Sequence, residues 1–302
     1  MIKRILVGIA VIFIGTIGLS HADVLTEKLG SDEIKIPIPT GYYRYDGKSD
    51  AIDTYYNGLT TRNRIVAMFC NEQDLISVLN DTMPPLDRAY SVQVAKSFEN
   101  LRISDYDFSL IIRDTENKLT LLVEDSQGIS KDIGKKSSLG FSEMLKKQID
   151  SKLTGLTNLG FFDKESNSIC TLSIGKFKVA EPGGDVLLDR INVIALCMIN
   201  LNGKVVNLLC VAKCQDKNDI EWTKSEIRKW RDDWIKVNPK NSLPVAAADK
   251  SISRKARSQG LTPFAIGEIF GRIVGWIVIV ALILTIILAV RWLAGLLRRR
   301  PR

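Results

Sequence analysis

The chain has almost no histidine. Its single imidazole, His21, falls in an N-terminal export signal, so the exported part carries none. That absence excludes Ser-His-Asp and Cys-His catalysis, histidine-ligated zinc and imidazole acid-base chemistry from the exported region. Carboxylate pairs, lysine or unassisted cysteine are the only catalytic means left. No C-x-x-C motif is present either, which removes the thioredoxin-like and zinc-ribbon readings. A phosphate loop is also missing: between Gly128 and Gly134 the spacing is one residue too long, and Lys136 stands where Ser or Thr is required. Asp46, Asp50 and Asp53 lack the alternating pattern of a calcium loop and read as caps and surface.

A basic stripe is likewise absent, although the formal net charge is +8. Residues 1–22 hold two Lys or Arg, and residues 250–302 hold ten against the single acid Glu268. Taking these from the 42 basic and 34 acidic residues of the whole chain leaves 30 and 33 in residues 23–249. The region between is mildly acidic with interspersed charge, so nucleic acid is not an expected partner.

Five cysteines, Cys70, Cys170, Cys197, Cys210 and Cys214, are an odd number for an oxidising compartment. All stand in apolar, strand-like contexts, so buried free thiols are the first expectation, with a Cys197–Cys210 bridge as the alternative.

Two hydrophobic segments frame the chain. Lys3 and Arg4 precede an apolar run to Leu19, and Ser20-His21-Ala22 has the small residues a signal peptidase reads, so residues 1–22 are expected to be a signal peptide, or else an uncleaved anchor. Ile273 to Val290 is eighteen residues without a charge, followed by Arg298, Arg299, Arg300 and Arg302. At about 1.5 Å rise per residue this run, with its flanks, matches a hydrocarbon core roughly 30 Å thick. The expected layout is a signal peptide (1–22), an exported domain (23–239), a flexible basic linker (240–264), one transmembrane helix (265–297) and an Arg-rich cytoplasmic tail (298–302). Lys250, Arg254, Lys255, Arg257 and Arg272 before the span nearly balance the arginines after it, so orientation rests on the signal peptide.

Within the exported part, Ile34, Ile36 and Ile38 alternate with polar residues and Pro37, the pattern of an edge strand. Ser49 and Asp50 offer a cap for a short helix, Ile65 to Cys70 reads as a strand covered on both faces, and Asn71 to Asn80 as a brief helix. Tyr90, Val92, Val94 and Phe98 alternate with Ser91, Gln93 and Ser97 as a strand with one polar face. Ser104 caps a helix carrying Phe108, Ile111, Ile112, Thr115 and Leu119, and a second helix is expected over 142–154. Phe161 and Phe162 lead through a turn at 163–167 into a returning strand from Ile169 to Val179, and the Pro-Gly-Gly loop at 181–185 follows.

Asn202-Gly203 between two apolar runs calls for a type I′ hairpin with Leu201 opposite Lys204 and Cys197 opposite Leu208. Both faces of that hairpin are apolar, so it belongs in the middle of its sheet. Asn218, with Glu221 three residues on, is the expected cap of a last helix whose stripe is Ile220, Thr223, Ile227, Trp230, Trp234 and Val237, ended by Asn238-Pro239. These elements make an α+β domain, an antiparallel-rich sheet with helices packed on its faces, plus one C-terminal transmembrane helix.

On that helix Gly267, Gly271 and Gly275 recur every four residues, a small-residue face that suits homodimerisation or docking onto a partner transmembrane helix. No cofactor, metal or catalytic residue is expected. The functional expectation is a membrane-tethered, extracytoplasmic binding or interaction module, an accessory component of a cell-envelope complex. The alternative is a membrane-anchored hydrolase using a carboxylate pair without histidine.

Overall fold

Asn202-Gly203 sits at the centre of the architecture, and the strands on either side of it make the middle of a seven-stranded sheet. The computed structural model describes residues 23–48, 63–79, 86–124, 138, 150–180 and 186–240. The elements in order are β1 (Val24–Leu29), β2 (Asp32–Pro37), β3 (Tyr42–Arg44), β4 (Asn63–Asn71), α1 (Glu72–Leu79), β5 (Arg88–Ala95) and α2 (Asp105–Glu124). Then follow β6 (Asp150–Glu165), β7 (Ser168–Ala180), β8 (Val186–Leu201), β9 (Lys204–Lys213) and α3 (Lys217–Val237). β1 and β2 form a separate hairpin, and the large sheet runs β3-β4-β5-β9-β8-β7-β6, antiparallel throughout. The α+β class and the antiparallel-rich sheet are as expected. Among the described residues no helix is long and apolar enough to cross a membrane, and the run 273–290 lies outside them.

The β8–β9 hairpin has the register its turn demands. Leu201 pairs with Lys204 and Cys197 with Leu208, while Asn202 and Gly203 take φ of +53° and +90°. A Cβ on Gly203 would stand 3.3 Å from the Arg102 side chain. Glycine is therefore required twice there, for its backbone angle and for the close approach. After α2 the chain goes to the far edge of the sheet and returns as the meander β6-β7-β8-β9, which brings β9 against β5. Three register shifts interrupt β6, the long edge strand, and so make it a poor template for further pairing.

One face of this sheet is apolar. Val193, Ala195, Cys197, Ile199, Val206, Leu208, Cys210 and Ala212 lie in one buried cluster with Phe69, Tyr90 and Val92. Two elements contribute the covering side chains: α3 through Ile227, Trp230 and Trp234, and the β1–β2 hairpin through Leu29, Ile34 and Ile36. Each buried indole removes some 150–250 Å² from water, worth about 4–6 kcal/mol at roughly 25 cal/mol per Å². Trp230 packs edge-on against Tyr90 at 5.1 Å and Phe69 at 6.0 Å, and its Nε1–H donates to the Pro37 carbonyl at 2.8 Å. Asn238, the C-cap of α3, donates from Nδ2 to the Lys35 carbonyl at 2.7 Å and accepts the Lys35 N–H on Oδ1 at 2.9 Å. The residue that ends the helix thus also ties it to β2.

Several expectations need correction. Residues 150–154, expected to end a helix over 142–154, are strand: Asp150 to Thr154 pair with Ala180 to Lys176, and residues 142–149 lie outside the described residues. The Leu145, Ile149, Leu153 spacing suits a helix, but cross-strand hydrogen bonding over the β6–β7 ladder outweighs that local preference. The cap of α3 is Asp216, not Asn218, and Asp219 completes the box by accepting the Gln215 and Asp216 N–H groups. A carboxylate is the better acceptor at the positive end of a helix. Strands β1 and β3 were not anticipated. The expected strand through Phe98 ends at Ala95, and Phe98 is buried in the turn that follows.

The cysteines also differ from expectation. Cys170 and Cys197 face each other across β7 and β8, 4.0 Å apart at Cα, and form a disulfide. Cys70 and Cys210 are buried free thiols, and Cys214 is a half-exposed one. The bridge joins neighbours directly opposed in the ladder, whereas Cys210 is only diagonal to Cys197. The helix expected after Ser49, the loops at 128–136 and 181–185 and the basic linker beyond Lys240 lie outside the described residues.

Candidate functional site

The second face of the sheet buries apolar side chains too, among them Ile194, Leu196, Met198, Val205, Leu209 and Val211, but polar groups are set between them. By strand alternation and register it carries Asn63 on β4, Ser91 and Gln93 on β5, Asn207 on β9, Thr171 and Ser173 on β7, and Arg190, Asn192 and Asn200 on β8. Every one of these polar side chains is buried. Burying polar groups is unfavourable unless they are hydrogen-bonded, so their partners decide what this face is for.

Part of it is an internal network. Asn63 Nδ2 donates to Gln93 Oε1 at 3.1 Å, and Gln93 Nε2 donates to Ser91 Oγ at 3.4 Å. At the end nearest the β8–β9 turn, Asn200 donates to the Ile103 carbonyl and to Asp105 and accepts the Gly203 N–H. This places the start of α2, which Ser104 caps by accepting the Asp107 N–H. Asn63 Oδ1 and Asn207 Oδ1, by contrast, are buried and find no donor among the described residues. Each such oxygen costs about 1–3 kcal/mol where it stays unmatched.

A groove of about 350 Å³ opens between α2 and the β6–β7 turn, lined by Ser109, Ile112, Arg113, Glu116, Lys164 and Glu165. Its charges are already engaged in part. Lys164 Nζ donates to both Glu116 oxygens, at 2.7 and 2.9 Å, and Glu165 receives Arg231 from the α3 side at 3.0 Å.

At the opposite end of the sheet from the Asn202-Gly203 turn lies a cluster of buried charged groups. Asp74, in the first turn of α1, is completely buried. Its carboxylate accepts the Leu86 N–H at 3.2 Å and Asn71 Nδ2 at 2.8 Å, while Asn71 Oδ1 caps the helix by accepting the Asp74 N–H. Arg190 donates from Nε to Asn192 at 2.7 Å and from its terminal nitrogens to the Leu86 carbonyl and Asp87 at 3.2 and 3.4 Å. Burial pushes the Asp74 carboxyl up to about 6, and Asp87 adds to the rise. Its hydrogen bonds and the nearby Arg190 charge oppose the shift without cancelling it. Burial also lowers the Arg190 guanidinium to about 10, against the pull of Asp87 and Asp74.

Three sets of converging carboxylates are evident among the described residues, each with an arginine beside the acids, and in one of them Arg44 joins Glu27 and Asp46. Arg190 lies beside Asp87 and Asp74, and Arg231 bridges Asp163 at 2.9 Å and Glu165 at 3.0 Å. An acid-base pair needs two carboxyls facing a shared reacting atom, and these face a cation instead. Asp46 has a structural task too, pairing with Arg44 and accepting the Met68 N–H at 2.8 Å. No group of three or more His, Cys, Asp or Glu side chains able to hold a metal occurs among the described residues.

The membrane-helix residues Gly267, Gly271 and Gly275 lie outside the described residues. Asp74, Asp87 and Arg190 are not singled out by the sequence, whereas Asn207 stands out there as the polar interruption of an apolar hairpin face. One signal was present, the cap spacing Asn71-x-x-Asp74; an arginine within an apolar strand was the other. No protein-family model matches the chain, and no curated protein sequence matches it either.

Proposed function

We propose that the chain is a membrane-tethered, extracytoplasmic module that binds a partner rather than transforming a substrate, an accessory component of a cell-envelope complex. In this reading the domain lies outside the cytoplasm, the span near 273–290 anchors it, and the Arg-rich tail faces the cytoplasm. The single observation that supports it best is the Cys170–Cys197 bridge in the middle of the sheet, since structural disulfides form and persist in oxidising compartments. Binding is favoured over catalysis by the arginines beside the converging acids and by the buried amide oxygens of Asn63 and Asn207, which have no donor among the described residues.

Two measurements test this. Purification through a tag after Arg302 from detergent-solubilised membranes is expected to bring a stoichiometric partner or a second copy of the chain. In intact cells the same tag is expected to resist added protease; a digested tag would reverse the topology. The glycine face makes self-association through the span one form of partnership, and an unchanged oligomer after Gly271→Ile would remove it.

A further inference from the structure

Ser109, Ile112, Arg113 and Glu116 recur at the three-and-four spacing of one helix stripe, so α2 supplies one wall of the groove and the β6–β7 turn supplies the other. Lys164 ties the walls together by donating to both Glu116 oxygens, which sets the width before anything binds. Glu165 on the turn is neutralised by Arg231, whose side chain is only 5% exposed. Both acids of the groove therefore have a cation. Arg113, by contrast, is exposed and has no acid within ion-pair distance among the described residues. A single unmatched positive charge is what the groove presents.

Tyr106 extends the same stripe by one turn, and it is 70% exposed. Tyr and Arg are the residue types that dominate binding hot spots, and here both stand on one rigid wall. The location matters as well. Asn202 Nδ2 donates to the Pro239 carbonyl at 3.2 Å, Lys240 Nζ donates to Asp105 at 2.9 Å, and the Asn200 N–H donates to the Asn167 carbonyl at 2.8 Å. The end of α3, the first turn of α2 and the β6–β7 turn thus meet at one end of the domain. It is the end from which the chain leaves toward the proposed span.

We propose that this groove is the partner site of the binding module, and that its occupant is an extended protein segment presenting a carboxylate side chain to Arg113 and an aliphatic one to Ile112 and Tyr106. The proposal rests on the partner-binding reading above. An acid is selected because Lys164 and Arg231 already neutralise the acids that would repel it, while a basic segment would meet Arg113 unscreened. The guanidinium can grip a carboxylate through two parallel N–H bonds. Ser109 Oγ donates to the Tyr106 carbonyl at 2.6 Å, which leaves its lone pairs to accept a backbone N–H of the segment.

Display of random peptides of about ten residues against the full-length protein in zwitterionic nanodiscs tests this. The wild type is expected to enrich peptides with Asp or Glu beside Leu, Ile or Val. An enriched peptide, remade synthetically, is expected to bind Arg113→Glu at least about tenfold more weakly, with Tyr106→Ser also weakened. Both positions are exposed, and thermal unfolding of each variant checks that the fold is kept. Absence of enrichment overturns the proposal, as do basic or purely apolar winners and equal binding to Arg113→Glu. Two further results also overturn it: loss of binding to phosphatidylglycerol nanodiscs in Arg113→Glu with the peptide unaffected, which makes a lipid headgroup the occupant, or a changed oligomeric state with the peptide unaffected, which makes it a second copy. Peptide binding does not depend on topology, so its failure leaves the tethered reading standing, and a digested tag after Arg302 leaves the groove standing.

Discussion

Replacing Cys170 and Cys197 together by alanine opens a bridge whose ends are separated by 27 residues. In the chain-entropy description, a closed loop of that size removes about 12 cal/mol/K from the unfolded ensemble, or about 3.5 kcal/mol at 25 °C. Both side chains are completely buried, so deleting the sulfurs also leaves small cavities at about 1 kcal/mol each. The expected total loss is about 5 kcal/mol, a large part of the ~5–15 kcal/mol that holds a domain folded. Cys210→Ala gives an upper bound on the cavity contribution of one sulfur, because Cys210 is equally buried and unbridged but also gives up a hydrogen bond with Tyr90. Urea unfolding of the full-length chain in micelles, followed by indole fluorescence, reports on the sheet because Trp230 and Trp234 pack against it. Peptide mapping after alkylation, before any reduction, identifies the bridge itself. The reasoning fails if Cys170 and Cys197 are alkylated in protein quenched directly from cells. It also fails if the double variant loses no more than twice what Cys210→Ala loses. A Cys197–Cys210 bridge in the map would refute the register of β7 against β8.

Trp230→Ala is expected to cost about 3–5 kcal/mol, while Trp230→Phe, which keeps a ring against Tyr90 but loses the hydrogen bond to Pro37, costs less; thermal unfolding of the pair separates packing from polar contribution. Gly203→Ala forces a Cβ into φ of +90° and against Arg102, and a loss of about 1–3 kcal/mol in urea is expected. No loss there would show that the turn is not type I′. Asn238→Ala removes two bonds to Lys35 and the cap on α3, for an expected 1–2 kcal/mol, about what an ordinary cap is worth, with faster exchange of the Lys35 amide as the local sign. In global stability, the raised Asp74 carboxyl contributes fully below pH 3.8 and is lost as pH rises through about 6. Asp74→Asn should therefore gain on the wild type by up to about 3 kcal/mol at neutral pH relative to acid, a crossing that denaturation at two pH values detects.

What the sequence by itself determined is local. Alternation marked β2 and β5, a continuous apolar run marked β4, and the three-and-four spacing of Ile227, Trp230 and Trp234 marked the buried side of α3. Asn202-Gly203 went further and carried the whole β8–β9 register, because a two-residue turn leaves no freedom in how its strands meet. Only the tertiary structure decided the rest. Residues 150–154 became strand because β7 was there to pair with them, and a neighbour's hydrogen bonds are not written in a segment's own periodicity. Cys170 met Cys197 because the β7–β8 ladder puts them opposite each other across a connection too long for its register to be read locally. Asp74, Asp87 and Arg190 come from three separate parts of the chain, and their charges are perturbed by one another and by burial. Titration behaviour of that kind depends on distance and dielectric in the folded state, and the order of residues specifies neither until the sheet has formed.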